Sequence, residues 1–334
     1  TGTVTDAETN EPIANVSVSD GRNVVKTDEN GAYTLPGYSK SRFVTVTTPA
    51  GYWTENYYIP VTKDRETYDF RLDKSEKTAQ ADHSFLQISD SEIGAKGVGA
   101  WIEHVRDTVK ETDPAFLIHT GDICYEDGLK QHIKDMNTEN MGVPVRYVIG
   151  NHDYVAGKYG EALFESIYGP VWYSFDVGNV HYVVTPFQTG ADYASGYNKN
   201  DRWKWLENDL ANVEPGMKVV MFNHTKAPSD DYVLSYGLKK LDLKEHDLIA
   251  WVYGHYHYNY ITETDGVLNI STGRPDCGGI DSSASGSRLI SITANGQVST
   301  QMYYYDFEQP QAPDGANWSA QLEGNLLFAD PLAV

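Results

Sequence analysis

The chain has 334 residues, a length that suits two domains better than one. Hydrophobic residues make up 40%, enough for real cores, and no apolar run approaches the ~20 residues of a membrane span. A formal net charge of −21, with 47 acidic against 26 basic residues, argues against a nucleic-acid backbone as main partner, because such binding rests on Lys and Arg neutralising phosphates. Anionic substrates stay open, since bound cations invert the local field.

Residues 1–72 read as all-β. Val16 and Val18 alternate with Ser17 and Ser19, Asp20-Gly21 turns, and Val24 and Val25 follow. Asn30-Gly31 is a second hairpin signal, and "RFVTVTTPAGY" alternates again. The pattern specifies a small β-sandwich. Residues 73–83, "DKSEKTAQADH", are polar and read as a linker, so the front module is expected to fold alone and to be dispensable for the chemistry of the remainder.

The texture changes over 84–306, read as the catalytic domain. "SFLQISD" is an apolar strand running to Asp90, and "GVGAWIEHVRDTVKETD" spaces Trp101, Val105 and Val109 as an amphipathic helix. "PAFLIHTGD" is a strand ending at Asp122, "PVRYVIGNHD" one ending at Asn151, and "NVHYVVTPF" another strand. "DRWKWLENDLANV" is helical. "MKVVMFNHT" ends at His224 and "DLIAWVYGHYH" at His255 and His257. Strands alternating with helices predict a buried α/β sheet. "GVLNISTG" and a hairpin around Asn295-Gly296 close it. Residues 307–334 mix Pro, Asp and Gly with a late apolar patch and read as a tail or the start of a truncated C-terminal module. No secretory signal is visible, and a chain opening at Thr1 rather than Met leads us to expect a removed leader.

Five strands therefore stop at potential metal ligands: Asp90, Asp122, Asn151, His224 and the pair His255/His257. In an open α/β sheet the ligand site lies at the carboxyl ends of the strands, so these side chains can converge although they are far apart in sequence. Singly, each has a plainer explanation. Asp at a strand end forms turns, and a lone strand histidine, such as His119 or His181, is a hydrogen-bonded core residue. The conjunction of five, in order and at strand ends, points to a metal site.

The ordered set Asp90, Gly121-Asp122, Gly150-Asn151-His152-Asp153, His224 and Gly254-His255-Tyr256-His257 resembles the calcineurin-like metallophosphoesterases over roughly residues 83–305. The front module resembles the carboxypeptidase-regulatory-like β-sandwich of an exported bacterial branch of that family. The resemblance implies an α/β sandwich preceded by a small all-β domain, exported to the periplasm, cell surface or medium. It implies two divalent or trivalent ions (Mn, Fe or Zn), with Asp90 and His257 on the first, Asp122 bridging, and Asn151, His224 and His255 on the second. Carboxylate, amide oxygen and imidazole suit such metals. Two ions ~3.5–4 Å apart clamp a phosphoryl group and activate a shared water as nucleophile. His152, beside the ligand Asn151, suits general acid work, with Asp153 either orienting it or forming the turn.

The first motif departs from the family's Asp-x-His: it is Asp90-Ser91-Glu92. Glu92 as a ligand would loosen the first site and favour Mn or Mg over Zn. "GDICY" brings Tyr125 close, as a pocket residue or a ligand, and Arg274 is placed to reach a substrate phosphate, with Lys226 a weaker candidate. The tyrosines 253, 256, 258 and 260 read as half-buried strand residues or as a stacking surface. Cys124 and Cys277 show no CxxC spacing and read as two unpaired thiols near the pocket. The expected function is hydrolysis of phosphate mono- or diesters, small or linked to glycan or lipid. The alternative is a degenerate member that binds a phosphorylated ligand or glycan without turnover.

Overall fold

The computed structural model describes residues 1–93, 99–156, 160–186, 199–275 and 285–305. The expected tail at 307–334 and the second cysteine, Cys277, lie outside the described residues. The front module holds eight short strands: β1 (Gly2–Asp6), β2 (Ser17–Ser19), β3 (Val24–Lys26), β4 (Ala32–Tyr33), β5 (Phe43–Val46), β6 (Tyr52–Trp53), β7 (Tyr58–Pro60) and β8 (Phe70–Lys74). They form two four-stranded sheets, ordered β4-β1-β8-β6 and β3-β2-β5-β7. Period-2 alternation explains them: in β1, Gly2, Val4 and Asp6 are buried while Thr3 and Thr5 are half exposed.

Residues 73–83 are more than a polar tether. Strand β8 runs to Lys74, and Ser75 then caps the short helix α1 (Glu76–Ala79) by accepting from Thr78 N at 3.3 Å. Thr78 is fully buried and its hydroxyl donates to Tyr52 O at 3.1 Å. The segment looks like a linker because its Ser and Thr hydroxyls are spent on backbone groups rather than on apolar packing.

Nor does the front module stand apart. Trp53 meets Phe175 edge-on at 5.9 Å, and Tyr57 packs on Tyr173 at 4.7 Å. Asp176 N donates to Thr48 O at 2.8 Å, Trp172 Nε1 to Gly21 O at 3.1 Å, and Arg42 pairs with Glu165 at 2.7 Å. One apolar core runs from Val4 and Leu72 through Phe85 and Phe116 to Ile292. The front module is thus packed on the remainder rather than tethered to it: its rings complete the core of the rest of the chain.

Beyond α1 follow β9 (His83–Ile88), α2 (Gly99–Thr112), β10 (Phe116–His119), α3 (Tyr125–Asp135), α4 (Thr138–Met141), β11 (Val145–Tyr147), α5 (Ala162–Tyr168), β12 (Tyr173–Val177), β13 (Val180–Val184), α6 (Lys199–Leu210) and β14 (Lys218–Phe222). A hairpin, β15 (Val233–Tyr236) and β16 (Lys239–Asp242), precedes β17 (Leu248–Tyr253), β18 (Tyr260–Thr264), β19 (Val267–Ser271), β20 (Gly286–Ile292) and β21 (Val298–Tyr304). Two sheets result, one ordered β11-β10-β9-β20-β21 and one β12-β13-β14-β17-β19-β18. Phe85 and Phe116 of the first stack on each other and meet Tyr182 and Phe222 of the second edge-on, closing an α/β sandwich.

Strands β9, β10 and β11 are mutually parallel, and so are β13, β14, β17 and β19. The carboxyl ends that carry the candidate ligands are thereby gathered at one edge of each sheet. Gln87 ties those edges together in a buried network, donating to Tyr253 O at 2.8 Å and accepting from Thr272 Oγ1 at 2.7 Å. A polar residue inside the apolar run "SFLQISD" was the one sequence signal for it.

Candidate metal centre

The strands stop earlier than expected and the ligands sit on the loops just beyond: β9 ends at Ile88, β10 at His119, β11 at Tyr147, β14 at Phe222 and β17 at Tyr253. These loops are laddered to one another. Asp90 N donates to Gly121 O at 2.9 Å, Glu92 N to Asp122 O at 3.1 Å, and Gly254 N to His224 O at 3.1 Å. Such close approach excludes side chains. A Cβ on Gly254 would lie 1.8 Å from Ser89 Oγ and 2.5 Å from Asp90 Oδ2; one on Gly150 would lie 2.2 Å from Asp122 N. Asp90, Glu92, Asp122, Tyr125, His255 and His257 all take left-handed φ between 42° and 71°, a concentration of strain typical of functional loops.

Two groups of donors share Asp122. Asp122, His224 and His255 present ligand atoms within 4.8 Å of one another, and so do Asp90, Asp122 and His257. Asp122 is 1% exposed, Asp90 and His224 0%. Asp122 Oδ2 lies 3.1 Å from His224 Nε2, and Asp90 Oδ1 lies 3.4 Å from His257 Nε2. His224 Nδ1 donates to Thr120 O at 2.8 Å, which turns Nε2 toward the carboxylates. Asn151 Oδ1 is buried and has no hydrogen-bond partner among the described residues, an orphaned acceptor on the residue just before His152, whose N–H bonds Asp122. Carboxylate, imidazole and amide oxygen in these positions fit a pair of first-row or similar cations.

The electrostatics show what such cations would offset. Burial works against a charged His224, but Asp122 and Asp90 outweigh it and lift the imidazole to about 9. Burial would likewise raise the Asp122 carboxyl; His224 and the N–H of His152 hold it below its usual value. The His224 imidazole, drawn toward its charged form by Asp122 and Asp90, sits among the carboxylates whose charge a metal ion would offset. His257 is raised by its hydrogen bond to Asp90, and His255 is lowered by burial and by His224.

Glu92 does not join the Asp90–His257 group. Its Oε1 lies 3.7 Å from His257 Nε2, while Oε2 accepts from Arg274 Nη2 at 3.0 Å. Arg274 also approaches His257 Nδ1 at 3.4 Å, so it stands at the site rather than on a remote surface. His152 donates its backbone N–H to Asp122 Oδ1 at 2.9 Å, which fixes its ring at the mouth. Its Nδ1 lies 3.4 Å from Cys124 Sγ and 3.5 Å from Asp122 Oδ2. Tyr125, 60% exposed, stacks on that ring at 5.3 Å.

Asp153 corrects the reading as an orienting partner. Its carboxylate is fully buried and accepts from Asp122 N at 3.0 Å, Ile123 N at 2.9 Å and Gly150 N at 2.8 Å. Its three bonds, all to backbone N–H groups, clasp the two ligand-bearing loops together. Cys124 is buried and unpaired among the described residues; burial and the surrounding carboxylates push its thiol up. Lys226 is exposed. Tyr253 and Tyr260 are strand residues, but Tyr256 and Tyr258 lie on the loop, stacked on each other at 5.4 Å. His119 and His181 are core residues, as expected: His119 pairs with Ser91 Oγ at 2.7 Å, and His181 sits between Asp176 and Asp209. Sequence reasoning missed Cys124's contact with His152, because it depends on the turn of the loop after β10.

This chain belongs to the calcineurin-like phosphoesterase family, a metal-dependent family: the model "Calcineurin-like phosphoesterase" matches residues 83–259, and "N terminal of Calcineurin-like phosphoesterase" matches residues 1–75. No curated protein matches the chain in sequence. Among solved structures, the chain is similar to a dimetal phosphatase from Danio rerio (11% identity, 66% of this chain and 96% of that one, TM-score 0.48). It is also similar to the anchor in the inner membrane complex of Plasmodium (15% identity, 68% and 86%, TM-score 0.48). A third is a novel archaeal phosphodiesterase (15% identity, 66% and 99%, TM-score 0.34).

Proposed function

We propose that this protein is a dinuclear metal-dependent hydrolase of phosphate mono- or diesters. The observation that carries the reading is the buried Asp122 carboxylate shared by two donor groups; the orphaned Asn151 Oδ1, one residue before the His152 N–H that bonds Asp122, supports it. Asp90 and His257 would hold one ion, Asn151, His224 and His255 the other, and Asp122 both. A pair of ions there supplies Lewis acidity toward the phosphoryl oxygens and toward the attacking water. His152, outside both groups yet anchored to Asp122 through its backbone, delivers a proton to the leaving oxygen. Arg274 draws a substrate phosphate toward the cluster while its other contact restrains Glu92.

Three variants test the division of roles. Asn151→Ala and His255→Ala are expected to lower metal content and aryl-phosphate turnover together. His152→Ala is expected to keep both metals and lose turnover by about 10²–10⁴-fold. Equal metal loss in all three, measured by elemental analysis, refutes the assignment.

A further inference from the structure

A third donor group lies beside the two that share Asp122: Cys124, His152 and Glu92 bring a sulfur, an imidazole nitrogen and a carboxylate oxygen within 4.8 Å of one another. Cys124 Sγ and His152 Nδ1 are 3.4 Å apart, and His152 Nδ1 and Glu92 Oε1 are 4.0 Å apart. A tetrahedral zinc-type ion, with bonds of ~2.3 Å to sulfur and ~2.0–2.1 Å to nitrogen, sets sulfur and nitrogen about 3.5 Å apart. The spacing found is therefore the spacing such an ion requires, with a short inward swing of Glu92. The neighbourhood supports it: the His152 ring is held by stacking on Tyr125, and Glu92 Oε2 is held by Arg274, while Oε1 lies between His152 Nδ1 at 4.0 Å and His257 Nε2 at 3.7 Å.

We propose that Cys124, His152 and Glu92 form a third binding site, adjoining the two groups on Asp122, for a thiophilic divalent cation, zinc or its analogue cadmium, whose occupancy shuts off turnover. Selectivity follows from the donors. The two groups on Asp122 offer only oxygen and nitrogen and accept Mn, whereas a thiolate selects soft cations and rejects Mn and Mg. On binding, the Cys124 S–H bond breaks, its proton goes to solvent, and the sulfur and the Nδ1 lone pair bond to the ion. The ion then occupies the His152 ring nitrogen that faces Cys124, and the side chain is engaged in ligation rather than available to a leaving oxygen. The inhibition rests on the acid role proposed for His152; the binding does not.

The test is a cadmium titration of the Mn-loaded full-length chain, with wild type beside Cys124→Ser and Cys124→Ala. Wild type is expected to gain one more bound cadmium than either variant, together with an ultraviolet thiolate-to-cadmium charge-transfer band that both variants lack. Cys277 is present in all three proteins, so the difference reports on Cys124. Retained Mn, by elemental analysis, shows that the two groups on Asp122 were not displaced, and matching melting temperatures show that the variants are folded. Turnover should fall about tenfold or more in wild type at one equivalent and less than twofold in the variants. Glu92→Gln should keep the band with an affinity about 10–100-fold weaker. Equal cadmium content and equal bands in wild type and Cys124 variants, or unchanged affinity in Glu92→Gln, overturns the site. Cadmium bound with its band but turnover intact overturns the inhibition, and with it the acid role of His152.

Discussion

Arg146 links the front module to the loop that carries Asn151 and His152, and its replacement should show how strongly. The residue is 1% exposed on β11, four positions before Gly150. Its guanidinium lies 3.8 Å from the Trp53 ring and 4.2 Å from the Tyr57 ring, and Nη2 donates to Thr54 O at 2.8 Å. Desolvated cation–π contacts contribute about 2 kcal/mol each, and a hydrogen bond from a charged donor about 1.5–3 kcal/mol. Burying the guanidinium opposes this, the more so because Nε has no partner among the described residues. The net cost of Arg146→Ala is then about 2–4 kcal/mol, counting the cavity. At ~1.5 °C per kcal/mol for a chain of 334 residues, the melting temperature should fall by about 3–6 °C. Turnover should fall as well, because β11 is the strand that delivers Gly150 to its close contact with Asp122. Arg146→Met, which keeps the stem and loses the charge, should lie between. Thermal unfolding and aryl-phosphate hydrolysis measure both effects. A melting temperature within about 2 °C of wild type, with unchanged turnover, refutes the reasoning.

Deleting residues 1–72 should leave an aggregated or inactive chain, because Tyr173 and Phe175 lose the rings that cover them; a soluble, active remainder would show the shared core to be dispensable. His181 is raised to about 10: burial opposes its charge, but Asp209 and Asp176 outweigh burial. A raised folded value means that this stabilisation is complete below the unfolded value of 6.5 and is lost as pH climbs toward about 10. Urea unfolding should therefore show stability falling across that window by up to about 1.4 kcal/mol per pH unit, and His181→Gln should flatten the slope; parallel curves would exclude His181 as the cause. Gly254→Ala should abolish metal binding while the chain stays folded, since its Cβ would enter Ser89 Oγ and Asp90. Full metal content in that variant, by elemental analysis, would mean that the loops yield without loss.

The sequence alone determined the two textures of the chain, the strand order of the ligands and the family they belong to. Those properties are local: alternation of period two, apolar runs closed by Gly-Asp, Gly-Asn or Gly-His, and polar donors at run ends are all written in neighbouring residues. The glycines before Asp122, Asn151 and His255 belong to the same class, because their loops pass too close together for a side chain. What only the tertiary structure decided are relations between residues far apart. Asp153 and His152 are adjacent in sequence, yet one turns inward to three backbone N–H groups and the other outward to Tyr125 and Cys124, a choice made by the packing of the loop after β10. Glu92 reads as a ligand in its motif, but Arg274 takes one of its oxygens from 182 positions away. The polar stretch at 73–83 looks like a tether, while Ser75 and Thr78 in fact bond to backbone that only the fold brings within reach. The front module reads as separable because its own alternation is complete, and nothing in that alternation records that Trp53 and Tyr57 find their remaining cover on Arg146, Tyr173 and Phe175.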